Sequence, residues 1–215
     1  MVPMPEAGIA AQHVATARSR GSGRLPGVRR WAAVSAALAP VSLIGGWTLA
    51  AVRQGPGYDP VRDTISALAA DGATDRWIMT VALGLVGVCH LVTAAGLDDA
   101  RVPGRVLLAL GGAATVAVAA LPQPAAGHVP AAAVAFVALA LWPVASGTPG
   151  RRRAALATLV LLVLLAGLGV GLRHGDVLGL TERLLAGAEA LWPLVAVLTL
   201  RRGHGLGARM PSRPR

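Results

Sequence analysis

The sequence predicts an all-α protein: an integral membrane bundle of six transmembrane helices, with a short amphipathic helix in its first outer loop. Three observations carry that fold class. Of the 215 residues, 54% are hydrophobic and only 14% charged, whereas soluble domains carry about 25% charged residues. The apolar residues fall in long runs, and residues 154–172 contain no charge at all; runs of about 18 or more mark membrane-spanning helices. The arginines gather in short clusters between the runs, which is the pattern of a membrane topology.

Taken in order, residues 1–30 carry Arg18, Arg20, Arg24, Arg29 and Arg30 among Gly, Pro and Ser, the composition of a disordered basic tail. The first span, 31–52, is longer than the ~7–15 apolar residues of a signal-peptide core and reads as a retained helix. Five more spans follow at 77–97, 105–121, 130–146, 154–172 and 183–200, so the transmembrane domain covers 31–202. At ~1.5 Å per residue each covers roughly 25–33 Å, matching a ~30 Å hydrocarbon core. Residues 203–215 form a second basic tail. Six spans put both termini on one side, and that side gathers fifteen of the twenty arginines. The positive-inside rule then gives a multi-pass protein of the cell membrane with both termini cytoplasmic.

The outer loops are unequal. Those at 122–128 and 173–182 are short, and the one at 53–76 is long enough for structure of its own. Asp59 as N-cap and Pro60 at the first helical position predict a helix over 59–71. Val61, Ile65, Leu68 and Ala69 give it one apolar face. Gly72 suits its C-cap and Thr74 the cap of the second span, just before an interfacial Trp77. Gly84/Gly87, Gly111/Gly112 and Gly167/Gly171 have spacings that let helices approach closely. In so Ala- and Gly-rich a chain such spacings also arise by chance, as does the Leu-Trp-Pro repeat at 141–143 and 191–193.

Charge and motif content narrow the function classes. Every basic residue is Arg and none is Lys, a usage that GC-rich codons produce whatever the function. With no basic patch interleaved with aromatics, nucleic acid is not an expected partner. Cys89 is the single cysteine, so no disulfide forms within the chain. His128 and His174, with Asp59 or Asp176, have no recognised metal-ligand spacing, and neither a metal nor a cofactor is expected. His90 reads as a packed, hydrogen-bonded core histidine, since a haem would need a second axial ligand at similar depth. No hydrolase or nucleotide-binding motif sits in a suitable context. Ser66 becomes a nucleophile only if His128 or His174 packs against it.

Glu189 is the most informative residue. It lies seven positions after Glu182, on the same face of the last span and roughly 10 Å below its outer end. A carboxylate at that depth needs a partner, a proton or a wet cavity. The structural reading is a salt bridge to Arg62, Arg76, Arg183 or His128; the functional one is a ligand or proton site. For Asp59, Asp63, Asp71 and Asp75, helix caps and solvated positions are the expected roles.

The segments Gly57-Tyr58-Asp59-Pro60, Asp63-Thr64-Ile65-Ser66-Ala67-Leu68 and Asp75-Arg76-Trp77-Ile78-Met79 resemble the uncharacterised bacterial and archaeal membrane family called domain of unknown function 998. So do His128 before the fourth span, the run at 135–143, and Gly179-Leu180-Thr181-Glu182-Arg183 leading into Glu189. The resemblance covers about residues 31–202. The Ile65-Ser66 element is similar, more distantly, to the Frag/DRAM/Sfk-type six-span proteins linked to lipid homeostasis. The resemblance implies six spans and no activity. It marks Tyr58, Asp59, Ser66, His128, Glu182, Arg183 and Glu189 as one outward-facing constellation, to which Asp63 and Arg76 are added as candidate ligand-binding residues.

The expected function is therefore non-enzymatic: binding or moving a lipid or small molecule through an outward-facing polar pocket, in contact with the lipid bilayer. No catalytic residue is assigned and no protein partner is identified. One alternative is a membrane-embedded enzyme acting on a lipid or isoprenoid head group, with His128 and Asp59 or Asp63 as acid and base. The other is a non-catalytic accessory or sensor subunit.

Overall fold

The computed structural model describes residues 28–207, with side chains to 202; most of both basic tails lies outside the described residues. Six helices follow one another: α1 (Arg30–Ala51), α2 (Trp77–Gly96), α3 (Val102–Ala120), α4 (His128–Ser146), α5 (Arg151–His174) and α6 (Leu178–Gly207). All six are long and apolar enough to cross a membrane, and the only strand-like pairing among the described residues is an isolated bridge between Val28 and Leu97. Most bounds lie within three residues of the hydropathy reading. The sixth does not: α6 begins at Leu178 rather than 183, which shortens the loop expected over 173–182. Hydropathy stops at Glu182 and Arg183, but backbone hydrogen bonding runs through them.

Each helix packs on its sequence neighbours, and α6 closes the ring against α1 while also reaching α2 and α4. α5 packs on α4 and α6 and turns Leu156, Leu159, Val163 and Leu172 outward. α2 and α3 meet backbone to backbone: a Cβ on Gly87 would lie 2.6 Å from the Gly112 carbonyl oxygen, and one on Gly112 2.7 Å from that of Gly87. Gly111 abuts Leu139 of α4 and Gly171 abuts Thr181 of α6, whereas Gly84 and Gly167 face open space. So part of the glycine spacing that composition alone makes unremarkable is in fact used for close approach. Pro143 lies inside α4; one residue on, the Val144 N–H donates to Thr158 Oγ1 of α5 at 3.1 Å, a neighbouring hydroxyl serving the ladder where proline disturbs it.

Two apolar clusters fill the bundle. One, with Leu43, Leu68, Met79, Leu83 and Val118, lies toward the end that bears the 52–76 loop. The other, with Ala36, Leu97, Leu108, Leu139, Trp142 and Val197, lies toward the end that bears the termini.

The helix expected over 59–71 is corrected to an irregular loop containing one short 3-10 turn, Ser66–Ala69. Asp59 does cap, its Oδ1 accepting the Val61 N–H at 2.9 Å, but a helix does not follow. The reason lies in α6. Its residues take the carbonyls of Pro60, Val61, Arg62 and Asp63 and the N–H of Ile65, groups that an α-helix would have paired internally. The apolar face survives in part: Ile65, Leu68 and Ala69 are buried and Val61 is exposed. Gly72 adopts a positive φ of 91°. Thr74 does not cap α2; its N–H and carbonyl are held by the Gln54 amide at 3.2 and 2.9 Å.

Candidate functional site

Four residues near the start of α6 dock the loop. At Gly179 a Cβ would overlap the carbonyls of Pro60 and Asp63, so only glycine lets the loop backbone come this close. The Gly179 N–H donates to Arg62 O at 3.2 Å and the Leu180 N–H to Val61 O at 2.9 Å, satisfying donors that the first turn of a helix leaves free. Arg183 Nη1 donates to the carbonyls of Pro60 and Asp63, each at 2.7 Å, and of Gly179 at 3.0 Å. Its Nη2 donates to the Tyr58 hydroxyl. The Glu182 carboxylate accepts the Ile65 N–H and, at 3.3 Å, the Ser66 hydroxyl. Burial pushes the Tyr58 phenol above its ordinary range, and the Arg183 guanidinium pulls it back.

The remaining polar residues of the loop serve its perimeter. Asp63 Oδ2 accepts the Asp59 N–H at 2.8 Å. Arg62 approaches Asp59 and Asp176 at 3.8 and 3.9 Å, Arg76 pairs with Asp71 at 2.8 Å, and Arg53 pairs with Asp75 at 2.7 Å. Exposed pairs of this kind contribute about 1 kcal/mol or less each. His128 is buried across from the loop, its Nδ1 at 2.7 Å from Leu121 O. Asp59 and Asp63 are thus bound to their own loop, and the Ser66 hydroxyl donates to a carboxylate. Among the described residues no three His, Cys, Asp or Glu side chains group to hold a metal ion.

The ion pair expected for Glu189 is not formed. Arg62, Arg76, Arg183 and His128 are all engaged as above, and Glu189 is 1% exposed with Oε1 unpartnered. The helix start explains its depth. α6 begins eleven residues before Glu189, which places the residue about 16 Å along the helix rather than 10 Å.

Two spaces lie beneath the loop. A cavity of about 60 Å³ at the bundle centre is lined by Ser66, Glu182, Glu189, His90 and Thr115 among apolar side chains. Beside it, a cleft of about 250 Å³ runs between α4, α5 and α6, with Thr64, Ser66, Gln123, His128 and Glu182 at its polar end and Val137, Leu165 and Leu168 along its apolar length. Ser66, Glu182, Ala132 and Phe136 border both.

Against known proteins, the model of a family described as "Protein of unknown function (DUF998)" matches residues 36–199. The chain belongs to this family. The match takes in most of α1, all of α2 to α5, the docked loop and α6 as far as 199, and this DUF998 protein is a multi-pass membrane protein with six spans. No curated protein and no solved structure matches the chain, so nothing bears on the more distant likeness to the Frag/DRAM/Sfk-type proteins.

Of the candidate residues, Tyr58, Ser66, Glu182 and Arg183 meet in one network. Asp59 and Asp63 shape the turn it grips, Arg76 stands at the far end of the loop, His128 lines the cleft, and Glu189 lies in the cavity. The sequence reading gave no place in the site to His90, Thr115, Thr64 or Phe136. Depth was the available signal for His90: thirteen residues into α2, or about 20 Å, it lies near the level of Glu189.

Proposed function

We propose that this protein binds an amphiphile of the bilayer, its chain in the α4–α5–α6 cleft and its polar head under the docked loop. One observation carries the reading: a lateral apolar cleft of about 250 Å³ ends on a cluster of hydroxyl, amide, imidazole and carboxyl groups. The volume is just below the ~300 Å³ at which pockets for drug-sized ligands begin, so it suits a chain segment with a small head group rather than a whole phospholipid. The chemistry of the head follows from the lining. Among the described residues no arginine lines the cleft, which argues against a phosphate and favours a neutral hydroxyl-bearing or amine head. The positive-inside rule places that head in the outer leaflet.

Native mass spectrometry of the protein released from lipid nanodiscs tests this. Wild type is expected to carry a stoichiometric lipid or isoprenoid-like adduct, and Ala133→Trp, which fills the cleft from its exposed rim, is expected to lose it. An empty wild type, or an adduct retained unchanged in Ala133→Trp, overturns the proposal.

A further inference from the structure

The central cavity holds two buried polar side chains that the docking of the loop does not use. Glu189 of α6 and His90 of α2 are each 1% exposed. Glu189 Oε1 has no hydrogen-bond partner and neither has His90 Nε2. Both residues line the same space of about 60 Å³. His90 is held in place by its other nitrogen, Nδ1 lying 2.9 Å from Val86 O. A buried polar atom left unpaired is costly, so such atoms mark missing water or a ligand. At about 30 Å³ per molecule the cavity has room for roughly two waters, and it has the polar partners that a buried water requires.

The charge of the cavity names the occupant. α1 contributes Leu43, α3 contributes Thr115 and Val118, and α4 contributes Ala132, Ala135, Phe136 and Leu139; none of these is ionisable. The loop contributes Ile65 and Ser66, leaving His90, Glu182 and Glu189 as the only titratable groups in the lining among the described residues. Glu182 is bound to the loop, and among the described residues no arginine lines the cavity. A lone carboxylate inside a membrane bundle is expensive unless something positive accompanies it. Two ligating side chains at the centre are too few for a divalent metal cage, but a carboxyl and an imidazole joined by water are what a proton needs. Ser66 and Glu182 border the cavity on the side of the loop, and Leu139, Trp142 and the apolar cluster around them close the bundle toward the termini.

We propose that Glu189 and His90 form a proton-binding site at the centre of the bundle, bridged by water and loaded from the loop-bearing end past Glu182. The proton moves between the Glu189 carboxyl and solvent along the bridging waters, with the imidazole as second acceptor; no other bond forms or breaks. The site stands whether the neighbouring cleft is filled or empty.

Infrared difference spectroscopy of the protein in nanodiscs, between mildly acid and mildly alkaline pH, tests it. Wild type is expected to show a carboxylic-acid carbonyl band that falls as pH rises. The band is expected to be missing in Glu189→Gln and to shift its midpoint in His90→Gln. On wild type alone, a hydrophobic carbodiimide is expected to modify Glu189, located by peptide mass spectrometry, with a yield that falls as pH rises; this decides the matter if Glu189→Gln fails to fold. Absence of a titrating Glu189 band together with absence of pH-dependent labelling overturns the proposal. A band that responds to sodium at fixed pH also overturns it, making the occupant an alkali cation.

Discussion

Arg183 is the residue on which the loop turns. One guanidinium donates to three carbonyls and a phenol, and each hydrogen bond to a charged group contributes about 1.5–3 kcal/mol. Removing it frees the loop without touching the helix ring. Arg183→Ala is therefore expected to speed amide exchange over residues 61–66 by about ten- to a hundred-fold, since ~1.4 kcal/mol corresponds to tenfold, with α2 and α3 unchanged. Arg183→Lys is expected to recover only part of the protection, because an ammonium lacks the planar fork. Hydrogen-exchange mass spectrometry reads both, and unchanged loop amides in Arg183→Ala would show that the clamp lies elsewhere. At this scale the sequence was informative about which residues matter and poor about their partners. Tyr58, Ser66, Glu182 and Arg183 stand out as polar groups on one side of the membrane. Local competition then decides the pairs: Asp71 captures Arg76 five residues away and Asp59 approaches Arg62 three residues away, so neither arginine reaches Glu189.

At the scale of elements, period and length were legible and context was not. Apolar runs gave all six helices, and the i, i+4, i+7 pattern found the buried residues Ile65, Leu68 and Ala69. It could not reveal that donors from α6 would outbid the internal hydrogen bonds of a helix there, because that competition joins positions more than a hundred residues apart. Glycine spacing was ambiguous for the same reason: Gly87 and Gly84 look alike in sequence, yet one touches a facing backbone and the other touches nothing. That contrast yields an expected outcome. Gly112→Leu drives a side chain into the Gly87 carbonyl and the Leu91 N–H, and overpacking of this kind costs about 1–3 kcal/mol or more. Gly84→Leu has open space and is expected to stay within about 0.5 kcal/mol of wild type. Thermal unfolding in one detergent compares the two, and equal effects would refute the backbone-to-backbone crossing.

For the whole molecule, the arrangement of charge and the arrangement of function are one problem. The docked loop, the polar end of the cleft and the entry to the central cavity all lie at one end of the bundle, and the basic turns lie at the other. Arg105 shows how the basic turns are used locally, donating to the α2 carbonyls of Ala94 and Ala95 at 2.9 and 3.1 Å, a favourable place for a cation at a helix C-terminus. Arg151, Arg152 and Arg153 are exposed in the first turn of α5, a place the helix dipole disfavours for cations. Nothing in the packing of the helix requires three cations there; the positive-inside rule offers a reason, since it retains positive residues on the cytoplasmic side. If that is their role, the loop-bearing end faces outward. A cysteine at Gly55, where nothing lies within 4 Å of an added Cβ, is then expected to react with a membrane-impermeant maleimide in intact cells. A cysteine at Arg152 is expected to react only after permeabilisation. The buried Cys89 leaves the background dark. The reverse pattern would turn the bundle over, moving both the amphiphile head and the source of the proton to the cytoplasmic side while leaving every contact within the bundle as it is.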